Sequence, residues 1–496
     1  MNRISRAILE RWSAFRAKSP SSLKNWAAFL LLNAVIGGYF FVGIFAPASS
    51  IKTAWLPGKT THGHYQIEMD CDSCHSPVQD DSQHSATNVM KDACNRCHAD
   101  QLKLAKDTHP AKKFNDPTNA VLLETLDAQD CLACHLEHVP DRTLSMGLTM
   151  PADYCWHCHQ DVAESRPSHA GLLFDGCAVS GCHNYHDNRA LYEKYLYDHF
   201  GEPDLRAVAK VPLRKTTETP SAGGNLTVDQ GKRRPESGVG GVTDFEPDAP
   251  SDKLTDPKVK ADWLSSAHAR ALVNCSDCHG GSEQQESASD RKGESDWSDS
   301  VAMDRCDACH EKQVATFVRG RHGMRMDHGR LTLPLSPMRP EMARLKMHAG
   351  KSHQELDCSA CHAGHRFDTA FAAMQACVGC HADEHSLAYA SSSHAQLWEM
   401  ELSGQGEAGT GVSCATCHLP RMDGDDGTWV NHDQNAGLRP NETMARDVCA
   451  NCHGLEYSLS ALADAELSAN CYSTPPSRRI ESLQMAKDWF ERKKAK

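Results

Sequence analysis

Apolar residues are distributed very unevenly along the 496 residues of the chain. One run, WAAFLLLNAVIGGYFFVGIFA, fills Trp26 to Ala46, and about 20 apolar residues are what an α-helix needs to cross a bilayer. Arg3, Arg6, Arg11, Arg16, Lys18 and Lys24 precede it, and Trp26 and Trp55 lie at or just beyond its ends. This pattern predicts a retained transmembrane anchor with its N-terminus on the cytoplasmic side. The competing reading is a cleaved signal peptide, with APASS at 46–50 as the small-residue site. Elsewhere helical periodicity is short: ALYEKYLYDHF at 190–200, a stretch around 259–273, and the tail SLQMAKDWFERKKAK. Two stretches lack periodicity. Residues 206–257, rich in Pro, Gly, Thr and charge, read as a linker, and 280–300 as a polar surface loop.

Composition changes this picture. Aromatic residues make up only 6% of the chain and mean hydropathy is −0.54. So few large apolar side chains cannot build an ordinary core at this length, and something other than side chains must fill the interior. The net charge of −13 argues against a nucleic-acid partner. Cysteine and histidine, at 23 and 29, are far above ordinary usage.

The cysteines are ordered. C-x-x-C-H occurs ten times. In the first group it stands at Cys71, Cys74 and His75, at Cys94, Cys97 and His98, at Cys131, Cys134 and His135, and at Cys155, Cys158 and His159. In the second it stands at Cys275, Cys278 and His279, at Cys306, Cys309 and His310, and at Cys358, Cys361 and His362. It continues at Cys377, Cys380 and His381, at Cys414, Cys417 and His418, and at Cys449, Cys452 and His453. Two thiols on one helical turn can add to the two vinyl groups of a haem, and the next histidine then faces the iron. Zinc uses C-x-x-C half-sites but does not require the adjoining histidine, and a disulfide framework does not require it either. CAVSGCH, with Cys177, Cys182 and His183, ends in the same Cys-His pair after a four-residue loop and reads as an eleventh site. The expected cofactor is haem c, eleven copies, ten held by C-x-x-C-H and one by C-x4-C-H. Cys471 stands alone.

Thioether attachment of haem is an extracytoplasmic process in bacteria. The expected location is therefore the bacterial inner membrane, with a single N-terminal anchor and the bulk of the chain in the periplasm. The expected organisation is a basic N-terminus (1–25), an anchor (26–46), a pentahaem domain (47–205), the linker (206–257), a hexahaem domain (258–465) and a tail (466–496). The expected fold is mostly α with extensive irregular structure around a haem-packed core, plus the one transmembrane helix.

An electron relay needs a second axial ligand on each iron. Eighteen histidines remain after the eleven proximal ones, enough to supply it. The candidates are His62, His64, His109, His138, His169 and His186 in the first group, and His268, His322, His353, His365, His394 and His432 in the second. A histidine three residues beyond a proximal one points away from that iron. His138, His186 and His365 are therefore expected to serve a neighbouring haem.

These motifs resemble periplasmic multihaem c-type cytochromes. HGHY before CDSCH, HP after CNRCH, and CLACHLEH resemble class III-like cytochrome c modules, and the four-residue loop of CAVSGCH resembles a variant seen among them. An anchor followed by several haems resembles membrane-bound quinol dehydrogenases, although Ser76 and Pro77 follow His75 where that family typically has a C-x-x-C-H-x-M signature. SSAHARALVNCSDCH, GRHGM, CSACHAGH, SSSHAQLW and MARDVCANCH resemble the hydroxylamine oxidoreductase/octahaem cytochrome superfamily over most of 263–457. There is no C-x-x-C-K motif, and none of Tyr389, Tyr457 and Tyr472 is assignable by motif to the tyrosine crosslink of hydroxylamine oxidoreductase.

Two functions follow from the resemblance. The first is a non-enzymatic relay between a membrane donor, such as a quinol, and a periplasmic redox partner protein. The second is an oxidoreductase acting on a small nitrogen or sulfur oxyanion at one five-coordinate haem in 263–457, with Arg321, His322, Arg325, His328 and Arg330 as a cationic pocket.

Overall fold

The computed structural model describes residues 20–45, 57–75, 86–105, 109, 114, 116–151, 153–166, 169–171, 184–187, 193–212, 246–280, 297–351, 354–424, 427–439, 441–477 and 479–495. The chain divides into two units. One comprises Met1–Tyr65 with Glu137–Thr143, and the other Gln66–Leu136 with Leu144–Lys496. Cys177, Cys182, His183 and His353 lie outside the described residues, as does 213–245 within the expected linker.

In the first unit, helix α1 spans Pro20–Phe45. Its described side chains, residues 25–39 and Phe41, are all exposed, among them Trp26, Phe29, Leu30, Leu31, Leu32, Val35 and Ile36. Among the described residues no helix is long and apolar enough to cross a membrane. The transmembrane helix expected over 26–46 is thus not supported by the described residues.

The second unit is mostly helical with much irregular structure. Many of its helices are short because most C-x-x-C-H motifs close a single turn, while those at Cys94 and Cys306 lie within longer helices. The His75 N–H donates to the Cys71 carbonyl at 2.8 Å, and His135 to Cys131, His381 to Cys377 and His453 to Cys449 do the same at 2.8–2.9 Å. The Cys74 N–H also donates to the Cys71 carbonyl, at 3.1 Å, which tightens the first of these turns. Residues i, i+3 and i+4 then share a face, which brings both thiols and the imidazole to one side. Side chains just before the motifs start these turns. Asp130 accepts from Leu132 N, Asp357 from Ala360 N, and Ser413 forms a capping box with Thr416.

Among the longer helices are α2 (Ala86–Leu104), α3 (Glu193–His199), α4 (Pro257–Ser265), α5 (Met303–Phe317), α6 (Ser393–Leu402), α7 (Asn441–Asp447), α8 (Leu455–Leu462) and α9 (Glu481–Lys494). The periodic stretch around 259–273 is broken after α4, because Ser266 caps a separate turn, Ala267–Arg270, by accepting from Ala269 N. Strands β1 (Arg421–Gly424) and β2 (Gly427–Val430) form an antiparallel hairpin with Arg421 opposite Val430. The principal side-chain core joins α3, α7, α8 and α9 through Leu196, Met444, Ala445, Val448, Leu455, Leu459, Leu462 and Leu483. It lies beside the last motif, whose Cys449 packs against it.

Candidate haem-binding sites

The described motif cysteines differ in exposure. Cys71, Cys97 and Cys309 are exposed. Cys74, Cys94, Cys131, Cys134, Cys155 and Cys158 are half-buried in the first group, as are Cys275, Cys278, Cys306, Cys358, Cys361, Cys377, Cys380, Cys414, Cys417, Cys449 and Cys452 in the second. The two thiols of the first motif are therefore not equivalent, a difference that the spacing of Cys71 and Cys74 does not reveal. Cys71 and His75 are exposed while Cys74 is half-buried, because the turn is drawn inward at Ser73, whose hydroxyl accepts from Thr332 N at 3.1 Å.

Two imidazoles on opposite faces of one iron, each bound at about 2 Å through a ring nitrogen, have centroids about 6 Å apart. The structure places eight histidine pairs at that spacing. In the first group, His159 opposes His109 and His135 opposes His186, both at 6.2 Å. In the second group every motif histidine is opposed. His279 faces His365 at 6.0 Å, His310 faces His268 at 6.0 Å, and His362 faces His432 at 6.2 Å. His381 faces His322 at 6.1 Å, His418 faces His385 at 6.1 Å, and His453 faces His394 at 6.3 Å.

Each pair joins one motif histidine to one histidine outside the motifs. His186 and His365, each three residues beyond a motif histidine, oppose His135 and His279 instead of the imidazoles beside them in the chain. His385 was not among the sequence candidates. Its signal was weak: it lies four residues after His381, one helical turn on, within HADEH.

Ring orientation is fixed by hydrogen bonds from Nδ1, which leave Nε2 free to bind metal. Backbone carbonyls take this role for His109 (Tyr185, 2.6 Å), His279 (Ser298, 2.7 Å), His385 (Ser468, 2.6 Å), His432 (Val430, 3.0 Å) and His453 (Asp204, 2.8 Å). The Asp383 carboxylate lies 3.6 Å from Nδ1 of His381. Flat aromatic neighbours also brace two of these rings: Trp297 stacks on His279 at 4.7 Å, and Tyr457 on His453 at 4.6 Å.

His322 sits on a tight turn. A Cβ on Gly320 would lie 2.5 Å from Gln434 Oε1, and one on Gly323 would collide with the Phe317 carbonyl. The arginines around it are engaged. Arg321 Nε donates to Asn435 Oδ1 at 3.1 Å, Arg325 Nε to the Ser336 carbonyl at 2.7 Å, and Arg330 pairs with Asp327 at 2.9 Å.

The remaining candidates have local settings of their own. His64 Nδ1 bonds Glu137 Oε1 at 2.6 Å, and Thr61 also donates to that carboxylate. Burial raises the Glu137 carboxyl, but these bonds and the His64 charge outweigh it and hold the group at about 2. His138 has φ 60° and its Nδ1 lies 3.1 Å from the Gly58 carbonyl. His62 is exposed, and burial lowers His169. In the motifs themselves, His98 Nδ1 lies 2.6 Å from Gln101 Oε1. Cys471 is buried and packs with Tyr389 and Cys414.

The donor set fits haem. Thiols and an imidazole share one helical turn, and a second imidazole stands one iron's span away. Together these features are those of haem c attachment sites, as found in multihaem electron-transfer cytochromes. Residues 63–160, which include the first four motifs, match the family model of cytochrome c3. No solved structure matches the chain.

Burial disfavours the charged form of three of these imidazoles. His322, His362 and His418 are each lowered to about 4, first by desolvation and then by neighbouring histidines. An unfolded chain takes up these protons near 6.5, whereas the folded chain does so only near 4. The folded state therefore binds fewer protons between those values, and its stability falls as pH drops from about 6.5 towards 4. Chemical denaturation at pH 7, 5.5 and 4.5 should show a steadily falling midpoint. An unchanged midpoint across that range would contradict the assignment of buried neutral imidazoles.

Proposed function

We propose that the chain is a membrane-anchored, periplasmic cytochrome with eleven haems c that relays electrons between a membrane donor and a periplasmic acceptor. The observation that carries this reading is the opposed histidine on every motif histidine of the second group. Two imidazoles close an iron to substrate and hold it low-spin in both oxidation states, so little reorganisation accompanies a one-electron change. Haem supplies the redox chemistry when bound, and the protein supplies attachment, axial ligands and spacing. The paired cysteines of all eleven motifs, from Cys71 with Cys74 to Cys449 with Cys452, hold the cofactor. Their histidines are the proximal ligands, and the opposed histidines, His385 included, are the distal ones. The oxidoreductase reading needs an open iron between 263 and 457. It is disfavoured because His322, the centre of its cationic pocket, instead faces His381.

The anchor reading rests on the run from Trp26 to Ala46 and on the exposure of α1. A contiguous apolar surface of this kind is covered by a membrane or a partner in a soluble context. Cell fractionation of the full chain tests it. Retention in membranes through a high-salt wash, with release by detergent, is expected, and release by salt alone would contradict it.

His385→Ala tests the relay directly. The variant should keep its full haem content by intact mass, while about one iron in eleven changes from low-spin to high-spin with His418 still attached. An unchanged spin state would overturn the assigned pair. An intact mass of the parent protein below chain plus eleven haems would overturn the haem count.

A further inference from the structure

The packing of the motifs carries more than their ligation. In the second group, consecutive motifs abut in chain order. The turn Cys275–His279 packs on α5, which carries Cys306 and Cys309, and Cys306 lies within electrostatic reach of Cys278. The thiols of Cys306 and Cys358 are in hydrogen-bond contact. The turn Cys358–His362 packs on the helical turn that bears Cys377, Gln375–Val378, with Cys361 near Cys377 and Cys380. Cys377 contacts Cys414, and Cys417 lies beside Cys449 and Cys452. The six motifs therefore run as a line from Cys275 to His453.

The first two motifs do not join this line at an end. They meet it on both sides of His381, the fourth of its six members. On the side of the opposed ligand, the segment around His322 is tied to residues 66–100. Gln66 and Arg325 bond each other's segments through backbone carbonyls, with Gln66 Nε2 donating to the Arg321 carbonyl and Arg325 to that of Gln66. The buried Asp70, which with Ser73 shapes the first motif's turn, accepts from Thr332 N at 2.9 Å and from its hydroxyl. Beyond the second motif, Asp100 pairs with Arg319 at 3.0 Å, and Arg330 and Asp327 lie near Cys97. On the side of the motif itself, the Ala382 N–H donates to the Lys346 carbonyl and the His348 N–H to the Cys380 carbonyl, at 2.9 and 2.8 Å. Arg344, just ahead of that segment, pairs with Glu68 at 3.8 Å, three residues before Cys71. Two independent sets of contacts thus bracket one site with the start of the first group.

We infer that the cofactor array is branched: a six-member line in chain order, entered by the first two motifs at the His381 site, inside the line and not at its Cys275–His279 or Cys449–His453 end. This rests on the relay reading above and adds its connectivity. Placing Asp70, Arg325 and Gln66 at the junction gives these buried and charged contacts a purpose, because they set how close the two groups come.

Iron positions decide it. Cryo-electron microscopy of the full haem-loaded chain in detergent resolves each iron with its motif. The irons on His75 and His98 should both lie closer to the iron on His381 than to those on His279 or His453. The six second-group irons should follow chain order. An iron on His75 or His98 nearest to either end of the line would overturn the branch. The expected arrangement with an iron lacking its second histidine would leave the branch standing and overturn the relay reading, so the two failures are distinguishable.

Discussion

One distance recurs through the second unit: about 6 Å between paired imidazole rings, the separation that a single iron bound from opposite sides would set. Eight histidine pairs hold their ring centroids 6.0–6.3 Å apart, across segments as distant in sequence as His279 and His365 or His310 and His268. A chain with few large apolar residues has little else to hold such segments together. The leucine-rich core around Leu455 and Leu459 serves only the region of α3 and α7 to α9. Elsewhere single capped turns and a few longer helices are joined by irregular segments, an architecture suited to packing around bound cofactors.

The pairs are similar in spacing and different in orientation. The rings of His135 and His186 lie within 14° of parallel, and those of His279 and His365 within 23°. Those of His268 and His310 and of His385 and His418 stand at 88° and 80°. Parallel imidazoles donate to the same iron d orbital and split the pair that perpendicular imidazoles leave nearly degenerate. Ring orientation, together with a carboxylate near Nδ1 of His381 and carbonyls at His109, His279, His385, His432 and His453, gives the protein separate control over individual sites.

Much of this was legible in the sequence. The proximal cysteines and histidines stand in a fixed local spacing that one helical turn explains, so no tertiary knowledge was needed to find them. Their unequal exposure, as between Cys71 and Cys74, was not legible, because it is set by what packs on the turn. The distal histidines were harder, because an opposed ligand is chosen by packing. His109, His186, His268, His322, His365, His394 and His432 could be nominated from neighbouring residues, but which motif each would face could not. His385 was passed over because it belongs to the turn after one motif yet faces another, His418. The junction at Asp70, Gln66 and Arg325 left no trace in the sequence, since it joins segments more than 250 residues apart through backbone carbonyls and a buried carboxylate.

The claim that most of the account depends on is that the irons of the second group are closed to substrate. Low-temperature EPR on the oxidised, fully loaded protein tests it most directly, with haem quantified on the same sample. The account requires every second-group iron to be low-spin, with both rhombic and highly anisotropic signals and no response to nitrite, hydroxylamine or tetrathionate. A high-spin signal of about one iron in eleven that shifts on adding one of these would contradict it.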